Sequence, residues 1–280
     1  MRVIAISNQK GGVGKTTTAI NLASALSLAG QRVLLVDMDP QGNASSGVGL
    51  HKNDAVMGIA DVLLGFRDLS SVRVPTAFDD LHLAPATRQL VGVDVEMVDA
   101  DRREMRLRDA LRDVEGEYDY VVLDCPPSLN LLTVNALTAA HGVLIPLQAE
   151  YFAMEGLTEL LSTIQAVRRG LNPKLVRLGI LLTMVDQRTN LSRAVTEQAR
   201  QVFGDEVFKV EIPRNVRLAE APSHGKPILA YDPAATGAAA YLDLSMEVIL
   251  RCAALDADER ASSAPSSVIP LVPRQRKEAL

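Results

Sequence analysis

The chain is 280 residues long and carries 29 Lys and Arg against 34 Asp and Glu, a formal net charge of −5. Its apolar share of 48% supports a full core, which excludes a disordered chain and a uniformly basic nucleic-acid binder. Aromatics at 4% with no Trp argue against base-stacking platforms, and two cysteines and four histidines are too scattered for a disulfide scaffold or a zinc site.

In chain order, residues 2–7 and 32–37 read as buried strands, as do 119–124 (DYVVLD), 142–148 (GVLIPLQ) and 176–184 (VRLGILLTM). Helical patterns lie between and after them at 15–29, 129–140, 155–169 and 192–203. Continuous apolar strands imply a sheet buried on both faces, and strand–helix alternation implies right-handed crossovers. The expected fold is α/β, a doubly wound, mostly parallel sheet flanked by helices. In the first helix, Ile20, Ala23 and Leu26 share one face and Gly30 follows as the cap. The last helix is expected over about residues 234–254. Beyond it the Ser- and Pro-rich stretch ASSAPSSVIPLVPRQRKEAL has no periodicity, so the chain divides into a folded domain at 1–255 and a disordered tail at 256–280. No charged leader and no run of about eighteen apolar residues is present, so a cytoplasmic protein without a membrane span is expected.

The decisive segment is Lys10-Gly11-Gly12-Val13-Gly14-Lys15-Thr16-Thr17, between the first strand and the first helix. Glycines let backbone N–H groups curl around phosphate oxygens, and the helix N-terminus adds partial positive charge. Lys15 is placed for the β- and γ-phosphates and the Thr16 hydroxyl for Mg²⁺. The ordinary pattern G-x-x-x-x-G-K-[ST] misses by one, because position 9 is Gln9; an extra lysine, Lys10, stands beside it. Two acidic motifs follow later strands, DMDPQGN from Asp37 and DCPP from Asp124. A carboxylate at the carboxyl end of a buried strand faces the ligand crevice. Asp124 fits the Walker B role in the Mg²⁺ shell, and Asp39 is a further candidate for that shell and fits a switch that orients the attacking water. Cys125, beside Asp124, reads as a small buried hydrophobe rather than a reactive thiol.

KGGVGKTTT, DMDPQGNASSG, DCPPSLN, TMVDQRTNLS and IPRNVRLAEAPSHGKPILAYDP together resemble the ParA/Soj family of chromosome- and plasmid-partitioning ATPases, with its deviant Walker A loop. The resemblance runs over nearly all of residues 1–250 and leaves the tail unmatched; without a helix-turn-helix ahead of the loop, it is to the short type. It implies ATP or ADP and Mg²⁺ as ligands. It implies an ATP-state homodimer in which Lys10 reaches the phosphates held by the other copy, with Gly11 and Gly12 at the seam. Trans-acting cations of that kind contribute about 10³–10⁵ in rate. It implies that Pro213 and Asn215 pack on adenine. It further implies nonspecific double-stranded DNA binding through Arg188 and Arg217, with Arg193, Arg214 and Lys226 as weaker candidates. A ParB-type centromere-binding protein is implied as the stimulating partner, and the nucleoid as the location. A MinD-like membrane-cycling ATPase shares the loop, but Pro270 and Pro273 break the amphipathic helix it would need. A nitrogenase iron-protein type would need paired cluster cysteines, which Cys125 and Cys252 do not supply.

Overall fold

A computed structural model describes residues 1–50, 54, 56–150 and 155–263. Seven strands form one sheet: β1 (Arg2–Ile6), β2 (Val33–Asp37), β3 (Val74–Pro75), β4 (Leu81–Ala84), β5 (Tyr120–Asp124), β6 (Gly142–Gln148) and β7 (Val176–Thr183). Their order is β3-β4-β2-β5-β1-β6-β7. All pairings are parallel except β3 on β4. The five strands read from the apolar runs lie where expected. The sequence reading has no counterpart for β3 and β4, two and four residues long. Strands this short carry too little periodicity to register.

Alternate residues of the central strands enter two separate apolar layers. Val3, Ala5, Leu34, Val36, Val121 and Leu123 pack on one side. Ile4, Ile6, Val33, Leu35 and Val122 pack on the other. Such strands are apolar throughout because both faces are covered. The Leu131–Ala139, Glu155–Gly170 and Asn190–Phe203 helices cover the first face through residues such as Leu132, Leu160 and Val195. Helix α1 (Lys15–Leu28) and the last helix, Thr236–Ser263, cover the second through Ile20, Leu26, Tyr241 and Val248. Gly30 caps α1 as expected, at φ 78°, donating its N–H to the Ser27 carbonyl.

The last helix runs on to Ser263, past the boundary expected at residue 255. Arg2 forms an ion pair with Asp256, so the start of the expected tail is helical and tied to β1. Residues 264–280 lie outside the described residues. Among the described residues no helix is long and apolar enough to cross a membrane.

The chain leaves β1, passes over β5 to reach β2, and returns later to place β6 on the other side of β1. The connections therefore diverge at the carboxyl end of β1. A crevice opens at such a switch point, and there the loop of residues 7–14 lies.

Candidate phosphate site

The loop keeps its shape through backbone geometry and three side-chain ties. Gly12 and Gly14 sit at φ 75° and 89°, a region in which a side chain is strained. Asn8 donates from Nδ2 to the Pro146 carbonyl at 2.7 Å and accepts the Lys10 N–H at 3.0 Å, fixing the turn to β6. Thr183, the last residue of β7, donates its hydroxyl to the Val13 carbonyl at 2.8 Å. Lys15 donates from Nζ to the Lys10 carbonyl at 3.0 Å and is only 6% exposed. Burial pulls its pKa down, opposed by Asp124, Cys125 and Asp39. Two carboxylates, Asp124 and Asp39, therefore compensate the one fixed ammonium, and Asp37 stands beside both of them.

Those carboxylates arrive from neighbouring strands. Asp37 ends β2, Asp124 ends β5, and they are direct partners in the β2–β5 register. Side chains of paired residues point to the same face, so two acids are forced side by side. Asp124 is fully buried and neither of its carboxylate oxygens has a hydrogen-bond partner. Burial pushes its pKa well above the carboxylate range, the Asp37 charge adds to that, and the Thr16 hydroxyl opposes it. An unpartnered buried acid is expensive, and it fits a site that takes a cation or its ordered water. Mg²⁺ uses one or two carboxylates with phosphate and water, so a lone Asp124 with Thr16 suffices. Among the described residues no cluster of three or more His, Cys, Asp or Glu is arranged as an all-protein metal cage.

Asp37 is a site residue that the sequence reading quoted but left without a role. It accepts from the Ser45 N–H and hydroxyl, both at 2.7 Å, and from the Asp39 N–H at 3.2 Å. Its pKa is pushed up to about 6 by burial against those three bonds. Asp39 accepts the Gln41 N–H at 2.9 Å, and its carbonyl accepts from Gly42 at 2.8 Å. Asp37 thus holds both ends of the loop that carries Asp39. Thr183 and Ser45 had no sequence signal, because their roles exist only once β7 and the residue 43–47 helix are packed.

Lys10 contributes only backbone atoms to this network: among the described residues its ammonium has no partner. Gly11 and Gly12 are exposed, and a Cβ built at either would meet nothing within 4 Å. Val13 is buried under the loop, while Thr16 and Thr17 open α1 half-exposed. Cys125 is buried, its thiol pushed up by desolvation beside Asp124, which makes it an inert filler.

Pro213 and Asn215 line a cavity of about 370 Å³ that also touches Gly14, Thr17, Leu218 and Tyr241. The Asn215 Oδ1 caps the Val216–Glu220 helix by accepting from Arg217 at 2.8 Å, and its Nδ2 donates to Thr236 at 2.8 Å. It therefore offers the cavity a packing face and one N–H. Val185 bridges to Pro213, and the Arg214 N–H donates to the Val185 carbonyl at 3.0 Å. This joins the loops of Arg188 and Arg217. Arg188 is 87% exposed and forked on Asp186 at 2.7 and 2.8 Å. Arg217 pairs with Glu220 at 2.9 Å and Asp232 at 3.4 Å. Arg214 faces Glu150 at 3.5 Å, Arg193 bonds Asn190, and Lys226 is exposed.

The comparisons with known proteins agree with this geometry. A family model described as an AAA domain matches residues 1–177. The sporulation initiation inhibitor protein Soj of Bacillus subtilis is 53% identical over 247 residues, 88% of this chain and 98% of its own. The chromosome partitioning protein ParA of Myxococcus xanthus is 55% identical over 250 residues, 89% of this chain and 88% of its own. A crystal structure of cobyrinic acid a,c-diamide synthase from Mycobacterium smegmatis with bound ADP and magnesium is 38% identical. It superposes with a TM-score of 0.77, covering 88% of this chain and 92% of that one. The sheet order, the glycine loop and the two strand-end carboxylates define a P-loop ATPase. Within that class the chain belongs to the Soj/ParA family of chromosome-partitioning ATPases.

Proposed function

We propose that this chain is a DNA-segregation ATPase that cycles between an ATP-bound sandwich dimer on DNA and a released form, with ATP hydrolysis stimulated by a ParB-type partner. The observation that carries the reading is the unpartnered Lys10 ammonium beside an open, exposed Gly11–Gly12 edge. A cation with nothing to bind in its own subunit suits phosphates presented by a second copy.

Each residue then has a physical task. Lys15 supplies the fixed positive charge under the triphosphate, and backbone N–H groups of residues 11–16 direct dipoles at its oxygens. Thr16 and Asp124 hold Mg²⁺, whose charge, when bound, neutralises what builds up on the β- and γ-oxygens. Asp39, braced by Asp37, orients the attacking water. Lys10 of the facing copy stabilises the triphosphate and so favours assembly as well as turnover. Pro213 and the amide face of Asn215 hold adenine in the cavity beside Gly14.

Arg188 and Arg217 carry nonspecific phosphate contacts. Their existing ion pairs are surface pairs that cost about 0–1 kcal/mol to exchange. A dimer presents each patch twice, so binding strengthens in the ATP state and weakens steeply with salt. Linkage completes the cycle: ATP favours the dimer, the dimer favours DNA, and hydrolysis reverses both.

The test is DNA retention of the parent and Asp39→Ala in ATP, in ADP and without nucleotide. The parent is retained in ATP alone, and Asp39→Ala stays on DNA with turnover abolished. Equal retention in all three conditions, or full turnover in the variant, rejects the reading.

A further inference from the structure

Directly beyond β7 the chain takes a left-handed turn at Met184. Three non-glycine residues among the described residues have positive φ: Asp80 at 56°, Arg102 at 53° and Met184 at 51°. Asp80 and Arg102 are exposed in surface turns, and aspartate tolerates that region better than most side chains. Met184 is half-buried and sits between two paired segments. Its Cβ is crowded against its own backbone there, a crowding that glycine avoids. The backbone by itself therefore favours glycine at this position, and the side chain needs another reason to be present.

Hydrogen bonds on both sides hold the turn in place. Ahead of it, the Leu182 carbonyl accepts the Ile212 N–H at 2.9 Å and the Thr183 carbonyl accepts the Ala149 N–H at 3.2 Å. Beyond it, the Val185 N–H donates to the Ile212 carbonyl and the Val185 carbonyl accepts the Arg214 N–H, both at 3.0 Å. Consecutive residues of a regular strand point to opposite faces. Here Thr183 and Met184 both come to Gly14. A Cβ built on that glycine would lie 3.9 Å from Thr183 Cβ and Cγ2 and 4.0 Å from Met184 Cε. The left-handed turn is what brings two neighbouring side chains to one point. Thr183 uses its place to hold the Val13 carbonyl. A thioether has no such bond to make, so the gain at Met184 lies elsewhere.

Met184 lines the cavity of about 370 Å³ that lies between Gly14, Thr17 and the Pro213–Asn215 turn. Ile212, Leu218 and Tyr241 complete an apolar wall, and the Tyr241 hydroxyl is occupied by that of Thr18 at 3.2 Å. The residue therefore stands where the phosphate loop ends and the apolar cavity begins. An unbranched, polarisable thioether adapts to a flat ring and makes favourable sulfur–aromatic contacts. A planar heterocycle attached to a polyphosphate is the ligand that would meet both parts at once.

We propose that Met184 is a base-binding residue: the left-handed turn is held under strain in order to set its thioether against the purine ring of the nucleotide. Stability given up in the empty chain then serves affinity in the bound one. This rests on the adenine placement proposed above and adds to it a residue from β7's end, opposite in origin to Pro213 and Asn215 but tied to them through Val185.

The experiment compares the parent with Met184→Gly, Met184→Ala and Met184→Leu. Glycine removes both strain and side chain, alanine removes the side chain and keeps the strain, and leucine keeps strain and bulk. Each protein is melted without ligand, then titrated with a slowly hydrolysed ATP analogue and with inorganic tripolyphosphate, both with Mg²⁺. Met184→Gly is expected to melt about 2–6 °C above the parent, and Met184→Ala no higher than the parent. Both bind the ATP analogue about threefold to tenfold more weakly, while tripolyphosphate binds all four proteins alike. Met184→Leu stays near the parent in melting and within about threefold in affinity. Parent-like affinity of the glycine and alanine variants for the ATP analogue overturns the assignment and leaves the nucleotide site standing. An equal loss for the analogue and tripolyphosphate also overturns it, because Met184 then acts on the shape of the phosphate loop. A glycine variant that melts no higher than the parent overturns the claim of strain. A parent that binds tripolyphosphate as tightly as the ATP analogue refutes the adenine placement itself, and this assignment with it.

Discussion

Replacing Gly11 by valine separates what the phosphate loop needs for its own shape from what it needs to meet another copy. Within one chain, Gly11 has no reason to be glycine. A Cβ there meets nothing within 4 Å, the residue is exposed, and its φ lies outside the left-handed region in which Gly12 and Gly14 sit. Exposed substitutions of this kind fall within about ±0.5 kcal/mol. At about 2–4 °C per kcal/mol for a chain of this size, Gly11→Val melts within about 2 °C of the parent. Gly12→Ala is the control, since holding a side chain at φ 75° costs roughly 1–2 kcal/mol and lowers the melting temperature by several degrees. Three measurements decide: thermal melting without ligand, titration with a slowly hydrolysed ATP analogue, and light scattering in that analogue. Gly11→Val is expected to melt and bind nucleotide like the parent but to remain a monomer. Dimerisation at the parent's concentration dependence refutes the seam assignment. A melting temperature several degrees lower refutes the claim that the loop does not itself need this glycine.

Three further outcomes follow from the same site. Lys15→Ala removes the one buried ammonium facing Asp124 and Asp39, so nucleotide affinity drops by about 2–5 kcal/mol in calorimetric titration; parent-like affinity removes Lys15 from the site. Asp37 is held at about 6 in the fold against 3.8 for a free aspartate, so the folded chain binds its proton more tightly than the unfolded chain. The stability this supplies is complete below about pH 4 and is lost as pH rises through about 6, roughly 3 kcal/mol for a shift of about two pKa units. Asp124 is raised too and acts in the same direction. The melting temperature of Asp37→Asn relative to the parent therefore climbs between pH 4.5 and 7.5 in nucleotide-free protein; a pH-independent difference contradicts the assignment. Arg217→Glu and Arg188→Glu each weaken DNA retention in ATP and flatten its salt dependence by about one unit of slope or more, with nucleotide-driven dimerisation kept. Unchanged retention places the DNA surface elsewhere.

Local chemistry accounts for what could be read before the fold was seen. Five of the seven strands are continuous apolar runs, because covering both faces removes any need for alternation. The phosphate loop is a short contiguous segment whose glycines, lysines and threonines are specified by backbone conformation and charge, so residues 10–17 were legible as a unit. Asp39 and Asp124 were legible because they follow apolar strands, and strand ends face the crevice.

Other features depend on packing between distant segments, and no local pattern encodes them. The order β3-β4-β2-β5-β1-β6-β7 makes Asp37 and Asp124 register partners although they lie far apart in the chain; burial at those strand ends raises both acids, and the Asp37 charge adds to the effect on Asp124. Thr183 reaches Val13 because β7 ends beside the loop, and Pro213 joins the cavity because Val185 bridges to it. The last helix outruns its expected end where Asp256 meets Arg2, an ion pair between the two ends of the described chain. Residues 88–98 show the division most sharply. Val91, Val95 and Val98 are as apolar in sequence as Leu90, Val93 and Met97, and only the packed fold decides which three face the core and which three face water.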